Sequence, residues 1–381
     1  MAFNRTASST GETEALYYIK KKLLENNIKT QIEHFDWMGP LKLLMRLVYL
    51  FILIYCILLR LFLLIIIYFI MKNMFETTRR ITFIQREESK NIYVNIPAKE
   101  IMPNRTLVII STHYDSISAN IPYKLQVIIF FLYRIIVAFY IVIFIGFSMI
   151  FFLDFYSIFP FPSNIIYIII FSSISALFVS IPILYMVFVE QPSSGSIDNA
   201  SGVAISIELA KIFKSNPLEK IDLLFIWTGA EEWGLKGSKN FCKQHFKHLI
   251  EKYDFDRSFN INIDMVGSYI GLLDKTGFII KRKINKNLND ILEETANHLN
   301  IPIVKYNRII KPKSDYRAFG RYAKRLKKKN FQVSCFHSSK DSKYIHSLKD
   351  TPDKCSTDNL NGCLNICYQS LRSIDSRIEN T

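Results

Sequence analysis

Two long apolar blocks, 41–71 and 125–189, interrupt a chain that elsewhere alternates between short apolar runs and polar stretches. The second block divides at Asp154–Asn164, which carries Pro160, Pro162 and Ser163 and no basic residue. Its arms, 125–153 and 165–189, each exceed the roughly 20 apolar residues needed to span a bilayer. Arg134 is their single charge. That pattern predicts a transmembrane helical hairpin rather than a pair of buried soluble helices. The first block carries Arg46 and Arg60 and has no Gly or Pro to mark a turn. Residues 1–40 are polar, so no cleavable signal peptide is expected ahead of it.

Outside the blocks lie 1–40, 72–124 and 190–381, enough residues for one large domain. Glu12–Asn26 is a predicted helix. Thr106–Ser111 is a continuous apolar run, as expected of a strand buried on both faces. Ala200–Phe213 places Val203, Ile207 and Ala210 at helical spacing. Ile221–Trp227 and Phe259–Ile263 read as further strands, and Leu288–Leu299 as an amphipathic helix. Such alternation predicts an α/β domain with a mainly parallel mixed sheet covered by helices. No internal repeat is present.

Composition changes this picture little. Half of the 381 residues are hydrophobic, and the excess sits in the two blocks. The net charge is +15, but no nucleic-acid motif accompanies it. The basic run Arg317–Lys329 is either a solvated helix end or a contact for anionic headgroups. Cys355, Cys363 and Cys367 cluster without a fourth ligand at zinc-finger spacing, which makes them packing residues of a C-terminal helix. His245 and His248, three apart on a predicted helix, read as a solvated face.

Candidate chemistry lies in five separated motifs: Thr-His-Tyr-Asp-Ser at 112–116, Ser-Ile-Asp-Asn-Ala-Ser-Gly at 196–202, Thr-Gly-Ala-Glu-Glu-Trp-Gly-Leu at 228–235, Asn-Ile-Asp-Met-Val-Gly at 262–267 and Ile-His-Ser-Leu-Lys-Asp-Thr-Pro-Asp at 345–353. Three of them follow predicted strands, at the carboxyl ends where open α/β sheets place ligands. His113 and Asp115 are two apart, so in extended backbone they point the same way. A carboxylate beside a metal-bound His fixes its tautomer. The adjacent side chains of Glu231 and Glu232 diverge, so one can ligate while the other faces water. This inventory suits two zinc ions sharing a carboxylate, with one Glu left over as a base.

In order and content the motifs resemble metallopeptidase family 28, the zinc exopeptidases that include bacterial leucyl aminopeptidases, aminopeptidase Y and glutamate carboxypeptidase II. The resemblance extends to Arg5-Thr-Ala-Ser-Ser-Thr-Gly-Glu12 and to Ser314-Asp315. It implies a three-layer α/β/α fold of the zinc exopeptidase kind. It also implies that Asp198 bridges two zinc ions, that His113 and Asp264 complete one site, and that Glu232 and His346 complete the other. Glu231 would be the general base, Asp115 the partner behind His113, and Asp350, Thr351 and Asp353 a brace for the loop of the last His. Many members carry Tyr directly before that His. Here Ile345 stands there, with Tyr344 one further back.

The expected activity is therefore that of a membrane-embedded zinc aminopeptidase acting on peptide substrates, with the lipid bilayer as its second partner. Two alternatives remain: a glutaminyl cyclase-like single-zinc enzyme, and a receptor-like relative without catalysis. Residues 1–40 resemble the start of the peptidase domain and 72–124 carry its first ligand, so an even number of crossings must separate them. The first block has about 31 residues, short of the roughly 40 needed for two full spans. A short hairpin or re-entrant segment is the expectation. Lys42, Arg46, Lys72, Arg79, Arg80 and Lys124 flank the blocks on the domain side, which points the catalytic domain toward the cytoplasm.

Overall fold

The structure, a computed structural model, describes residues 1–58, 87–100, 103–117, 121–155, 165–189, 193–309 and 312–378. The chain divides into two compact units. One comprises Met1–Trp37, Glu88–Ser118 and Gln191–Thr381, the other Met38–Glu87 and Ala119–Glu190. The divisions at 40, 124 and 189 drawn from the sequence fall a few residues from these; the one at 71 lies outside the described residues.

Among the described residues the first unit is built on a nine-stranded sheet. Its strands are β1 (Gln31–Trp37), β2 (Glu87–Ile96), β3 (Thr106–His113), β4 (Ile221–Thr228), β5 (Phe259–Ile263), β6 (Ile270–Thr276), β7 (Arg282–Lys283), β8 (Ile303–Arg308) and β9 (Gln332–Phe336). The order is β1-β2-β4-β3-β5-β9-β6-β7, with β8 paired to β6. The central four, β4-β3-β5-β9, are parallel. β2 lies antiparallel to β4, and β6 antiparallel to β9.

Every position of β3 and β4 is buried, which explains the continuous apolar stretches Leu107–Ile110 and Leu223–Trp227 within them. Successive side chains of a strand point to opposite faces, and here each face has its own core. Val108, Ile110, Leu223, Phe225 and Trp227 pack with α1 (Thr10–Leu24), α5 (Ser201–Ser215), α7 (Leu288–His298) and α9 (Thr357–Ser376). Leu107, Ile109, Leu224 and Ile226 pack with α6 (Lys236–Lys252) and α8 (Tyr316–Arg325). The result is the three-layer α/β/α arrangement expected from the sequence.

Helix ends follow local chemistry. α1 starts at Thr10, before the Glu12 of the sequence pattern, because Ser9 Oγ accepts from the Glu12 amide at 3.2 Å. Glu12 reaches back to accept from the Ser8 amide at 2.6 Å. Ser356 caps α9 in the same way, and Cys363 and Cys367 of that helix are buried in the core as packing residues. On α6, His245 lies 4.5 Å from the Phe241 ring, ring centre to ring centre.

The second unit contains α2 (Leu41–Leu58), α3 (Tyr123–Phe155) and α4 (Ile165–Phe188). Leu47, Ile129 and Ile183 join them, and Tyr140 and Ser173 share a 2.9 Å hydrogen bond between α3 and α4. Large apolar side chains such as Val142, Phe171 and Phe178 face outward, 69–75% exposed. Among the described residues one stretch, Tyr123–Ile143, is long and apolar enough to cross a membrane. The remainder of block 41–71 and residues 156–164 lie outside the described residues.

Candidate metal centre

The central parallel strands deliver three of the predicted residues to one end of the sheet. His113 is the last residue of β3, Glu231 follows β4 by three residues, and Asp264 directly follows β5. Asp198 sits in the loop that enters α5, and His346 in the loop after β9. Three of these loops bend through left-handed backbone at residues that are not glycine: Ala230 (φ +48°), Met265 (φ +73°) and His346 itself (φ +55°). Such conformations are uncommon outside Gly, Asn and Asp and recur at functional sites.

The loops converge on Asp198. Its Oδ1 lies 3.0 Å from His113 Nε2, and its Oδ2 lies 3.3 Å from His346 Nε2. Asp264 Oδ1 is 3.3 Å from the same His113 nitrogen, and Glu232 Oε2 is 3.1 Å from the same His346 nitrogen. Two donor groups result, His113–Asp198–Asp264 and Asp198–Glu232–His346, with the ligand atoms of each within 4.8 Å of one another. They share Asp198.

Asp115 is fully buried behind this cluster. One of its oxygens accepts from the Glu231 amide at 3.0 Å and the other from the Glu232 amide at 3.2 Å. His113 Nδ1 faces the Asp115 backbone oxygen at 3.1 Å and its carboxylate at 3.6 Å. One carboxylate thus orients a candidate ligand and fixes the turn that presents the Glu pair.

Burial pushes the Glu231 carboxyl well above the usual range, and Asp315, Glu232 and Asp264 push it the same way against the opposing pull of His113. Burial likewise raises Glu232 to about 7. For His346 burial acts downward, but Glu232 and Asp198 outweigh it and hold the imidazole at about 10. For His113 the contacts with Asp115, Asp198 and Asp264 outweigh burial in the same sense. For Asp198 the contacts with the two imidazoles overcome burial and lower its carboxyl. Glu231 Oε1 and Glu232 Oε1 are buried without a hydrogen-bond partner. Carboxylates gathered this closely in a dry pocket, with orphaned oxygens, call for a cation. Imidazole nitrogen and carboxylate oxygen are the donor types that zinc takes.

Several residues that hold the site were not legible as such. Asp350 ties the His346 loop to the Asp198 loop: its amide donates to the Ser347 carbonyl at 3.2 Å, and its Oδ1 and Oδ2 accept from the amides of Ile197 (2.6 Å) and Asp198 (3.2 Å). Thr351 bonds within its own loop, to the Lys349 carbonyl, and Asp353 pairs with Lys354 on the surface. Asn199 ties the Asp198 and Asp264 loops together by donating to the Ile263 carbonyl (2.9 Å) and accepting from the Met265 amide (3.1 Å). Arg5 is wholly buried. It donates to the carbonyls of Tyr114 (2.8 Å), Ser194 (2.7 Å) and Gly195 (2.9 Å), clamping the His113 and Asp198 loops to the N-terminal segment. A Cβ on Gly195 (φ +53°) would meet Arg5 Nη2 at 2.8 Å, so glycine allows that approach.

Residues 180–371 match the profile of Peptidase family M28. Aminopeptidase YwaD of Bacillus subtilis is 42% identical over 76 residues, which cover 20% of this chain and 16% of that protein. A probable zinc metalloprotease of Pyrenophora teres f. teres is 39% identical over 74 residues, 19% of this chain and 15% of that one. The matched stretch is thus a small part of each curated relative's length. Two solved structures share the fold over nearly the whole chain. A leucine aminopeptidase precursor from Bacteroides thetaiotaomicron has a TM-score of 0.54 at 12% identity, covering 97% of this chain and 91% of its own. Fimbriiglobus ruber glutaminyl cyclase has a TM-score of 0.55 at 13% identity, covering 97% and 90%.

Proposed function

The chain belongs to peptidase family M28, and from that footing we propose that it is a membrane-embedded di-zinc aminopeptidase. One observation carries the two-ion reading: the carboxylate oxygens of Asp198 face different imidazoles, His113 and His346, as a bridging ligand's would. In this reading Asp198 joins His113 and Asp264 around one zinc, and Glu232 and His346 around the other. Zinc bound there supplies Lewis-acid polarisation of the scissile carbonyl and a more acidic water.

Glu231 is the general base of this reading. Its Oε1 makes no hydrogen bond, and burial raises its proton affinity. Asp115 holds the Glu231 and Glu232 amides; Glu232 Oε2 lies 3.1 Å from His346 Nε2, while Glu231 belongs to neither donor group and is left for the base role. Glu231 takes a proton from the attacking water and returns it to the leaving amine. The membrane part of the proposal rests on α2, α3 and α4, which form their own unit and turn large apolar side chains outward.

Glu231→Gln tests the mechanism. Zinc content should be unchanged, while hydrolysis of a panel of aminoacyl peptides falls by ~10²–10⁴-fold. Near-normal hydrolysis with zinc retained removes Glu231 from the base role. Glu232→Gln should instead lose metal. The glutaminyl cyclase likeness favours a second reading, cyclisation of N-terminal Gln with a single zinc. Zinc per chain, measured together with activity on Gln-initiated and N-blocked peptides, separates the two.

A further inference from the structure

The β6–β7 turn of the first unit ends in an apolar tip. Phe278, Ile279 and Ile280 are 79%, 88% and 67% exposed. The turn is built: Gly277 takes φ +142°, and a Cβ there would meet the Ile280 carbonyl oxygen at 2.0 Å. The Gly277 amide donates to the Arg308 carbonyl at 3.0 Å, which seats the turn beside the end of β8. The next residue there, Ile309, is 59% exposed. Four large apolar side chains therefore project from the edge of the sheet, where scattered single ones would be ordinary.

Their surroundings are cationic. From 275 to 287 the sequence holds Lys275, Lys281, Arg282, Lys283 and Lys286 and no acidic residue. Lys283 pairs with Asp290 at 3.0 Å, whereas Lys281 and Arg282 are exposed and form no ion pair among the described residues. The Arg308 side chain adds a further cation, donating to Ser339 Oγ at 2.6 Å.

An apolar tip ringed by lysine and arginine matches the layering of a lipid surface. Apolar side chains enter the acyl boundary, while the cationic heads stay at the level of the phosphates. Pairing with a second protein strand fits less well, because the edge strand β7 is only two residues long. We propose that the β6–β7 turn is an interfacial anchor, placing Phe278–Ile280 among acyl chains of an anionic membrane with Lys281 and Arg282 on its headgroups. This goes beyond the peptidase reading and does not depend on the apolar helices.

The test adds one reporter to the full chain. Phe278→Trp is compared with the wild-type chain, whose own tryptophans set the background. Each is reconstituted into phosphatidylcholine vesicles with and without phosphatidylserine, using brominated acyl chains. The added tryptophan should emit further to the blue and be quenched by bromolipid, more so with phosphatidylserine. Replacing Lys281 and Arg282 by Gln in the reporter chain should lower the inserted fraction by about fivefold per charge. Water-like emission without quenching, in vesicles that still hold the chain against carbonate extraction, overturns the proposal and leaves the helices' membrane reading intact. A blue shift that needs no lipid and fades on dilution assigns the surface to a second copy of the chain, and also overturns it.

Discussion

Replacing Arg5 by Met keeps most of the side chain's length and apolar stem and removes its charge and donors. Three of its bonds join distant segments, to the carbonyls of Tyr114, Ser194 and Gly195. Bonds from a charged donor contribute about 1.5–3 kcal/mol each, so three give roughly 5–9 kcal/mol. The buried Tyr114 carbonyl would lose its Arg5 partner, while the Gly195 carbonyl would keep the Ala200 amide at 3.0 Å. Whole domains are stable by only about 5–15 kcal/mol. The variant should therefore lose more than about 10 °C of thermal stability, given about 2–4 °C per kcal/mol for a domain of this size. Burial lowers Arg5 to about 10, with Asp115, Asp350, Asp198 and Glu232 acting upward, so it is charged at neutral pH. Removing that charge also removes the cation beneath the carboxylates. Thermal unfolding in detergent, followed by tryptophan fluorescence, measures the first effect, and zinc retention during dialysis measures the second. Arg5→Lys should recover only part of the loss, because an ammonium lacks the guanidinium fork. A melting temperature of the Met variant within about 2 °C of wild type would refute the clamp.

Further expectations concern the site, the pH response and the topology. Asp198→Ala should retain fewer than two zinc ions per chain, because one carboxylate serves both donor groups; full occupancy by elemental analysis would place the bridge elsewhere. Burial raises Glu12 from 4.5 to about 7. Such an acid keeps in the folded chain a proton that the unfolded chain has already released, so stability should fall as pH rises from about 4.5 to about 7, by about 3 kcal/mol, and stay level above that. Denaturant midpoints across that window should show the slope, and Glu12→Gln should make it shallower by that share, leaving the contribution of other raised carboxyls such as Glu232. The basic residues flanking the apolar blocks predict that a cysteine replacing Ser157 reacts with an impermeant reagent in intact cells and that one replacing Ser339 does not; the reverse pattern would refute a cytoplasmic orientation of the first unit. Tags at residue 2 and within 76–90 should report the same side, and opposite sides would exclude the N-terminal segment from the catalytic unit.

The parts of the fold that sequence revealed are those with a strong local signal. β3, β4 and β5 are buried on both faces; β3 and β4 hold the continuous apolar stretches Leu107–Ile110 and Leu223–Trp227, while β5 alternates Phe259, Ile261 and Ile263 with two asparagines. Three of the five motifs follow them at the strand ends, while Asp198 lies in the loop before α5 and His346 in the loop after β9. Strands such as β1 and β8 gave no comparable pattern, because they are partly exposed and mix charged with apolar positions. The supports of the site were hidden for a different reason. An arginine in sequence suggests solvent, and only the fold shows Arg5 sealed among carbonyls from three segments. Asp350 follows the last His by four residues, so its role seemed local. Its carboxylate's partners are the Ile197 and Asp198 amides, more than a hundred residues earlier. Asn199 carried a signal in its position next to Asp198, but no spacing rule names Ile263 and Met265 as its partners.

The placement of the two imidazoles also sets a timetable for synthesis. His113 ends β3, while His346 lies about 230 residues further on. At ~5–20 residues per second a ribosome needs roughly 10–50 s to cover that distance. Both long apolar helices, α3 and α4, leave the ribosome within the interval, and so do the strands that later flank β3. The donor set is complete only after β9 and its following loop have emerged. The apolar helices of a nascent chain therefore emerge well before the donor set is complete. Premature termination anywhere before His346 yields a product without the second donor group, Asp198–Glu232–His346.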